Sequence, residues 1–203
     1  MTALPGVILA GGLGLRMGGG DKCLRPVGGR RLIEHVIERL APQCGGLALS
    51  ANGDPARLAE FALPVLPDGL PGHPGPLAGV LAGLDWAAGQ GAEAIVTAAA
   101  DTPFVPADLV ARLQGEASAS GLCLAGSAGP DGRIRRHPTF GLWPVALRDD
   151  LRAALAEGQR KVALWADGHG AGLARFESIP FDPFFNVNTP EDLATAERLM
   201  GMA

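Results

Sequence analysis

The chain has 203 residues, 47% of them hydrophobic, a length that suits one compact domain with a sizeable core and leaves little room for two. Its 17 lysine and arginine residues stand against 21 aspartate and glutamate residues, for a formal net charge of −4. This balance argues against a protein held to nucleic acid by bulk charge, so an anionic ligand has to be bound by a local cluster of cations.

The first apolar run of the chain, residues 7–10, is too short for a signal peptide or a membrane span, and no basic segment precedes it. We therefore expect a cytoplasmic protein that uses neither a membrane nor nucleic acid, and we expect it to be a monomer. The three cysteines are odd in number and lack the paired spacing of a zinc site or a disulfide framework, so free thiols are expected.

Apolar and amphipathic segments alternate through the first half of the chain, an order typical of a parallel sheet with connecting helices. Strands are predicted there at residues 7–10, 45–50, 63–66 and 94–100, and helices at 32–40, 55–61, 76–88 and 105–113. In the second half, strands are predicted at residues 122–125, 139–143, 162–165 and 173–178. The first two of these flank the polar turn "GPDGRIRRH", and helices are predicted at residues 147–156 and over "TPEDLATAERLM".

This order predicts a three-layer α/β/α fold with a mostly parallel, mixed central sheet, in one domain over residues 1–203. Ligands of such sheets bind beyond the carboxyl ends of the strands. The glycine-rich loop, Asn52, Asp68 and Asp101 follow the first four predicted strands in turn. We therefore expect them to meet at one edge of the sheet.

The stretch "VILAGGLGLRMGGGDKCL", residues 7–24, carries six glycines between a buried strand and a lysine. Such glycines let backbone N–H groups turn toward phosphate oxygens. The loop lacks the Lys-Ser or Lys-Thr pair of a Walker A motif, and Met17 stands where a dinucleotide fingerprint has its last glycine. We predict a triphosphate site in which Arg16 and Lys22 hold the β- and γ-phosphates; the alternative is a plain connection with two solvated cations.

Asp101 ends an apolar strand, which predicts a carboxylate at the ligand edge of the sheet. A carboxylate there suits Mg²⁺, which binds one or two carboxylates together with substrate phosphates. The alternative is a helix cap, but the next predicted helix contains Pro106 and Asp108 near its start and does not need Asp101 in that role. We therefore predict a magnesium site at Asp101.

The loop "LAGGLGLRMGGGDKCL" resembles the signature loop of small nucleotidyltransferases with a glycosyltransferase-A-like fold, and its "RMGG-x-DK" form is similar to that of the molybdenum cofactor guanylyltransferases. Further matches follow in the same order along most of the chain, and they are weakest between residues 115 and 133. They are "SAN" (50–52), "PD" (67–68), "GPLAG" (75–79), "DTPF" (101–104), "HPTF" (137–140) and "NVNTPEDL" (186–193).

The resemblance implies a Rossmann-like nucleotidyltransferase fold whose N-terminal half binds GTP and whose C-terminal half binds a pterin. It implies that Leu9, Ala10 and Gly11 contact the nucleotide through their backbone, and that Asp101 holds Mg²⁺. It also implies that Asn52 and Asp68 bind GTP, although as bare sequence both are ordinary turn residues.

Two cationic patches are candidates for holding an anionic pterin phosphate. One surrounds His137 in the arginine-rich turn, and the other is Arg160 with Lys161. A solvated hairpin tip and a structural histidine are the alternatives for the first patch. Asn186 and Asn188 precede the N-cap Thr189 and are assigned to the second substrate or to the metal.

The predicted reaction is transfer of GMP from GTP to molybdopterin, with or without bound molybdenum, with release of pyrophosphate. The enzyme alternatives are a cytidylyltransferase that acts on the same pterin and a sugar-phosphate nucleotidyltransferase. A non-catalytic alternative is a GTP-binding adaptor that delivers cofactor to apoenzymes. In either case, association with other proteins of molybdenum cofactor synthesis is expected.

Overall fold

The computed structural model describes residues 3–11, 20–69, 75–129 and 131–201. Its strands are β1 (Pro5–Leu9), β2 (Pro26–Val27), β3 (Arg30–Arg31), β4 (Gly46–Ser50), β5 (Val65–Leu66), β6 (Ala94–Ala99), β7 (Cys123–Ala128), β8 (Ile134–Pro144) and β9 (Gly172–Phe176). Its α-helices are α1 (Leu32–Leu40), α2 (Pro76–Ala88), α3 (Leu109–Gly115), α4 (Arg148–Ala156), α5 (Val162–Gly168) and α6 (Pro190–Met200). Short 3₁₀-helices span Lys22–Leu24, Ala41–Gln43, Pro55–Phe61 and Val145–Leu147.

Seven of these strands form one sheet in the order β5-β4-β1-β6-β8-β7-β9. The first four strands of that order run parallel to one another. Strand β8 is antiparallel to both of its neighbours, whereas β7 and β9 pair in parallel. Within the described part of the chain, β8 is thus the one reversed strand of this sheet, and the predicted mostly parallel, mixed sheet is confirmed.

Helices cover both faces of the sheet, and the alternation of side chains along β1 shows why. Val7 packs into the core beneath α2 and α4, while Ile8, one residue later, packs into the core beneath α1 and α3. Both side chains are fully buried. Because neighbouring residues of a strand face opposite sides, a strand covered on both faces has to be apolar throughout, as this one is. The structure therefore has the three predicted layers, with the sheet between two layers of helices.

Helix α6 packs against the short β2–β3 hairpin. Thr189 caps the helix by accepting a hydrogen bond from the Asp192 backbone, and the Asp192 carboxylate accepts one from the Thr189 backbone. Its Ala196 is fully buried in a small core with Val27 and Val187. The predicted capped helix is confirmed, and its start is held next to the end of the glycine-rich loop.

One predicted strand is wrong, since residues 162–165 belong to helix α5. The buried side chains of that helix are Val162, Trp165 and Ala166, whereas Leu164 is 59% exposed. This spacing of three and four residues is helical, and a window of four residues was too short to separate it from a strand.

Several element boundaries differ from the prediction, and the largest differences are the starts of α3 and β8. Helix α3 begins at Leu109, so Pro106 precedes the helix and Asp108 is its N-cap. Strand β8 begins at Ile134, so much of the predicted turn is strand. The β7–β8 register shifts beside Leu124, where β8 contains Pro138, because proline cannot donate a hydrogen bond to a regular ladder.

Candidate active site

The carboxyl ends of the parallel strands lie side by side, as the alternating pattern predicts. The Ala10 backbone donates to the Ser50 carbonyl at 2.8 Å, and the Ala100 backbone donates to the Leu9 carbonyl at 3.1 Å. These bonds continue the sheet past the last residues of β1 and β6. The segments that follow the strands therefore leave the sheet at neighbouring positions, and polar side chains distant in sequence meet there.

A cavity of about 310 Å³ opens at this edge. Six of the predicted site residues line it, namely Leu9, Gly11, Asn52, Asp68, Asp101 and Asn186. Ala10 and Lys22 line a small recess that shares Leu9 and Asp101 with the cavity. Within the described residues, the predicted nucleotide site is thus brought together. Arg16 lies outside the described residues.

The N-terminus of α2 forms another wall of the cavity through Gly75 and Pro76. The positive end of the helix dipole there favours an anionic ligand. The helix can approach the sheet because Gly79 has no side chain: a Cβ at this position would lie 2.5 Å from Ser50 Oγ and 2.9 Å from Leu9 Cδ2. Only glycine fits this approach without displacement of the cavity wall.

Lys22 is the cation at the centre of the site. Its Nζ donates to Asp101 Oδ2 at 2.5 Å, to Asn188 Oδ1 at 2.5 Å and to Asn186 Oδ1 at 3.0 Å. The lysine side chain is only 10% exposed. An ammonium group has three N–H donors, so these three oxygens use all of them. A phosphate oxygen that binds Lys22 therefore has to replace one of these partners.

Asn52 and Asp68, which follow β4 and β5, form a pair. The Asn52 side-chain amide donates to Asp68 Oδ2 at 2.8 Å, and its oxygen accepts from the Asp68 backbone at the same distance. The two hydrogen bonds fix the Asp68 carboxylate at the cavity wall. A carboxylate there is an acceptor suited to the N–H groups on the edge of a nucleotide base.

A second ion pair lies at the end of the glycine-rich loop and was missed by sequence reasoning. Arg57 Nε donates to Asp21 Oδ2 at 2.5 Å, and Arg57 Nη1 donates to the Asp54 carbonyl. Asp21 directly precedes Lys22. The pair offsets an acidic charge that would otherwise repel phosphate from the lysine.

Cys23 is buried behind the loop, and that burial raises the pKa of its thiol to about 12. The thiol is protonated at neutral pH and is a packed side chain rather than a nucleophile.

His137 lies in a different cluster from Lys22. Its Nε2 is 2.7 Å from Ser127 Oγ, and its ring stacks on Phe184 with the centroids 4.4 Å apart. Burial lowers the pKa of His137, the nearby Asp182 carboxylate opposes that shift, and Arg135 adds to it. Sequence reasoning named His137 but missed Ser127, which lies within β7, and Asp182, which follows β9.

Arg160 and Lys161, the second cationic patch, lie in the connection between α4 and α5. Arg160 donates to the backbone carbonyls of Leu155 and Gln159, and Lys161 is the N-cap of α5. Neither residue lines the cavity. Their assignment to the pterin stays a prediction, as does that of His137.

The oxygen atoms around Lys22 form a candidate magnesium site. In the described ranges, no three histidine, cysteine, aspartate or glutamate side chains come together to bind a metal. The Asp101 carboxylate and the amide oxygens of Asn186 and Asn188 are nevertheless hard donors that converge on one cation. Mg²⁺ usually binds one or two protein carboxylates together with substrate phosphates, so the single carboxylate of Asp101 is sufficient. The donor set fits Mg²⁺ bound together with a nucleotide.

Comparison with known proteins adds a family match. The model of the MobA-like NTP transferase domain matches residues 6–169. A molybdenum cofactor guanylyltransferase from Bradyrhizobium sp. (strain ORS 278) is 54% identical over 206 residues, which cover 99% of this chain and 95% of that protein. One from Cereibacter sphaeroides is 55% identical over 196 residues, 96% of each chain.

A solved structure has the same fold. Molybdopterin-guanine dinucleotide biosynthesis protein A from Archaeoglobus fulgidus superposes with a TM-score of 0.72 at 24% identity, over 98% of this chain and 100% of that chain. Within the described ranges, we find no helix with the length and apolar character that crossing a lipid bilayer requires.

Proposed function

The chain belongs to the MobA-like NTP transferase family, among the molybdenum cofactor guanylyltransferases, and we propose that it transfers GMP from GTP to molybdopterin. The products are the guanine dinucleotide form of the cofactor and pyrophosphate. The observation that carries this proposal is the cavity that joins the Asn52–Asp68 pair to Asp101, the partner of Lys22. The cavity offers a base acceptor and a helix N-terminus, and it adjoins the recess that contains the Lys22 cation.

In the proposed complex, the nucleotide lies along the carboxyl ends of β1, β4 and β6. The Asp68 carboxylate accepts hydrogen bonds from the guanine N1–H and N2–H groups, and Asn52 holds that carboxylate in place. The backbone of residues 9–11 and the N-terminus of α2 face the triphosphate. Lys22 and Arg16 bind the β- and γ-phosphates.

The reaction requires no covalent enzyme intermediate. A phosphate oxygen of the pterin attacks the α-phosphorus of GTP, the bond from that phosphorus to the bridging oxygen breaks, and pyrophosphate leaves with the bond electrons. Lys22 exchanges one of its present oxygen partners for a phosphate oxygen and offsets the charge on the leaving group. The contribution of the protein is mainly orientation and fixed charge.

Asp101 would hold Mg²⁺, with the amide oxygens of Asn186 and Asn188 close by. The bound metal supplies Lewis-acid stabilisation of charge on the phosphate oxygens. Lys22 keeps Asp101 oriented through their ion pair. The pterin is assigned to the neighbouring surface with His137, Arg160 and Lys161.

The finer expectations are part of the same proposal. The chain would act in the cytoplasm as a monomer, as one domain over residues 1–203. Other proteins of molybdenum cofactor synthesis would deliver the pterin or receive the product. Size-exclusion chromatography with light scattering tests the monomer, and a dimer at micromolar concentration would contradict it.

One assay tests the reaction: purified protein, GTP, Mg²⁺ and molybdopterin, followed for pyrophosphate and for a guanine-containing pterin. Lys22→Ala and Asp101→Asn should each reduce product formation by at least about a hundredfold, the usual scale for loss of a charged group at a transferring phosphoryl centre. Asp108→Asn is the matched control, because Asp108 is exposed and its carboxylate, among the described side chains, pairs with Arg112 on α3.

Three results would contradict the proposal. Unchanged pyrophosphate release by both variants at saturating GTP and Mg²⁺ would exclude the assigned residues. Preferential stabilisation and use of CTP would indicate a cytidylyltransferase, and binding of GTP without turnover would indicate an adaptor.

A further inference from the structure

A polar cluster of Ser127, His137 and Asp182 lies beside the candidate site, and Ser127 and Asp182 have no role assigned so far. Ser127 on β7 is 1% exposed, and its Oγ donates to Asp182 Oδ2 at 3.1 Å. The same Oγ lies 2.7 Å from His137 Nε2. A hydroxyl has a single hydrogen, and Asp182 receives it, so the His137 Nε2–H has to be the donor to Ser127. The chain of donors thus runs from His137 through Ser127 to Asp182.

The cluster joins the sheet to the segment that connects β9 to α6. Asp182 belongs to that segment, and its second oxygen accepts a 2.9 Å hydrogen bond from the Phe184 backbone. The Phe184 ring is buried, stacks on His137 and packs edge-on against Phe140 and Phe176, with centroids 4.8 and 5.1 Å away. The residues before Asn186 are therefore anchored by hydrogen bonds and by an aromatic core.

The anchored segment then delivers its two asparagines to the lysine. Val187 donates its backbone N–H to the Asp101 carbonyl at 3.0 Å, and Asn186 and Asn188 on either side of it bind Lys22. A long connection without regular structure pays conformational entropy when it is ordered. The contacts of Asp182 and Phe184 restrict the segment immediately before the asparagines. They therefore reduce the entropy cost that the Lys22 contacts have to offset.

We propose that Ser127, His137 and Asp182 are positioning residues, which with Phe184 hold the segment 182–188 so that Asn186 and Asn188 enclose Lys22. This role of His137 depends on contacts within the protein and is separate from its proposed contact with the pterin. The functional part of this inference rests on the proposed function. The structural part does not, because it concerns contacts that exist without substrate.

Selective acylation of amines tests the inference, because Lys22 and Lys161 are the two lysines of the sequence. Brief treatment of the substrate-free protein with acetic anhydride, followed by peptide mass spectrometry, gives the ratio of Lys22 to Lys161 labelling. Lys161 is exposed and serves as the internal reference. Ser127→Ala removes two hydrogen bonds of the cluster and should raise the ratio by about tenfold, since local opening then costs less.

Ser178→Ala is the matched control, because Ser178 lies in the same connection and its hydroxyl makes no hydrogen bond within the described residues. It should leave the ratio unchanged. Asp182→Ala is the second variant and should raise the ratio as Ser127→Ala does. Thermal unfolding shows whether Ser127→Ala and Asp182→Ala are folded. If one of them is not, the labelling ratio of the other variant tests the inference.

An unchanged ratio in the folded variants would overturn the inference, because a purely structural cluster need not affect Lys22. Turnover separates this outcome from failure of the proposed function. If wild-type protein forms no pyrophosphate but the ratio rises in Ser127→Ala, the positioning role holds and the reaction assignment fails. If wild type is active, Ser127→Ala should lower kcat by about tenfold while Ser178→Ala retains it.

Discussion

Asn52 binds Asp68 through two hydrogen bonds of 2.8 Å, one to the carboxylate and one from the backbone N–H. The amide nitrogen and the amide oxygen of Asn52 each make one of these two bonds. The family resemblance assigns both residues to GTP, and the geometry separates their contributions. Asp68 presents the carboxylate, and Asn52 fixes the rotamer and the backbone of Asp68.

The first prediction concerns this pair. Asn52→Ala should weaken GTP binding by about tenfold, since the Asp68 carboxylate loses a hydrogen bond and its fixed orientation. Asp68→Ala should weaken it at least as much and reduce the preference for GTP over ATP. Isothermal titration measures both. The double variant should bind GTP no more weakly than Asp68→Ala alone, and additive losses would show that Asn52 contacts the nucleotide independently.

The second prediction concerns the Arg57–Asp21 ion pair beside Lys22. Arg57→Ala leaves the Asp21 charge uncompensated near the triphosphate and should weaken GTP binding by about fivefold, the upper range for a partly exposed pair. Asp21→Asn in the same protein should restore most of that affinity because it removes the repulsive charge. Arg198→Ala, on exposed α6 surface, is the control. A double variant as weak as Arg57→Ala would show that Arg57 acts in another way.

The third prediction concerns Gly79, where α2 meets the sheet. Gly79→Ala places a methyl group against Ser50 and Leu9, which line the cavity. The free energy of unfolding should fall by about 1–3 kcal/mol through overpacking, and GTP binding should weaken with it. Gly115→Ala is the matched helical control, since a Cβ there meets nothing within 4 Å. Urea unfolding and titration with GTP measure the two effects, and equal stability of both variants would contradict the prediction.

The fourth prediction concerns pH and His137. Burial lowers the pKa of this histidine below its usual 6.5, with Asp182 opposing and Arg135 supporting the shift. The unfolded chain therefore binds the proton more readily than the folded protein between the two values. The resulting stability is fully present above 6.5 and is lost as the pH falls from 6.5 through the lowered folded value.

Urea unfolding over this pH range, compared between wild type and His137→Gln, isolates that contribution. The wild type should lose stability on acidification more steeply than the variant, which has no titrating group at this position. Parallel profiles for the two proteins would show that His137 takes up its proton equally in both states.

Much of the fold was predictable because its signals are local. Helix α2 has proline at its first position, and helix α6 has a threonine cap followed by an acidic first turn, so both were predicted at their observed places. Helix α5 was missed because its apolar run is short, and a short apolar run does not separate a strand from a helix. The late start of α3 was missed because Val105 is fully buried although it precedes the helix.

The sequence by itself determined most of the strands and helices, the glycine-rich loop and the family to which the chain belongs. Each of these depends on residues that are neighbours in the chain, through periodicity, turn chemistry and motif spacing. Only the tertiary structure decided that Lys22 meets Asn186 and Asn188, which lie 164 and 166 positions further along. It also decided that Ser127 joins His137 to Asp182. Such contacts arise where strand ends and connections converge in space, and no local pattern encodes which side chains will meet there.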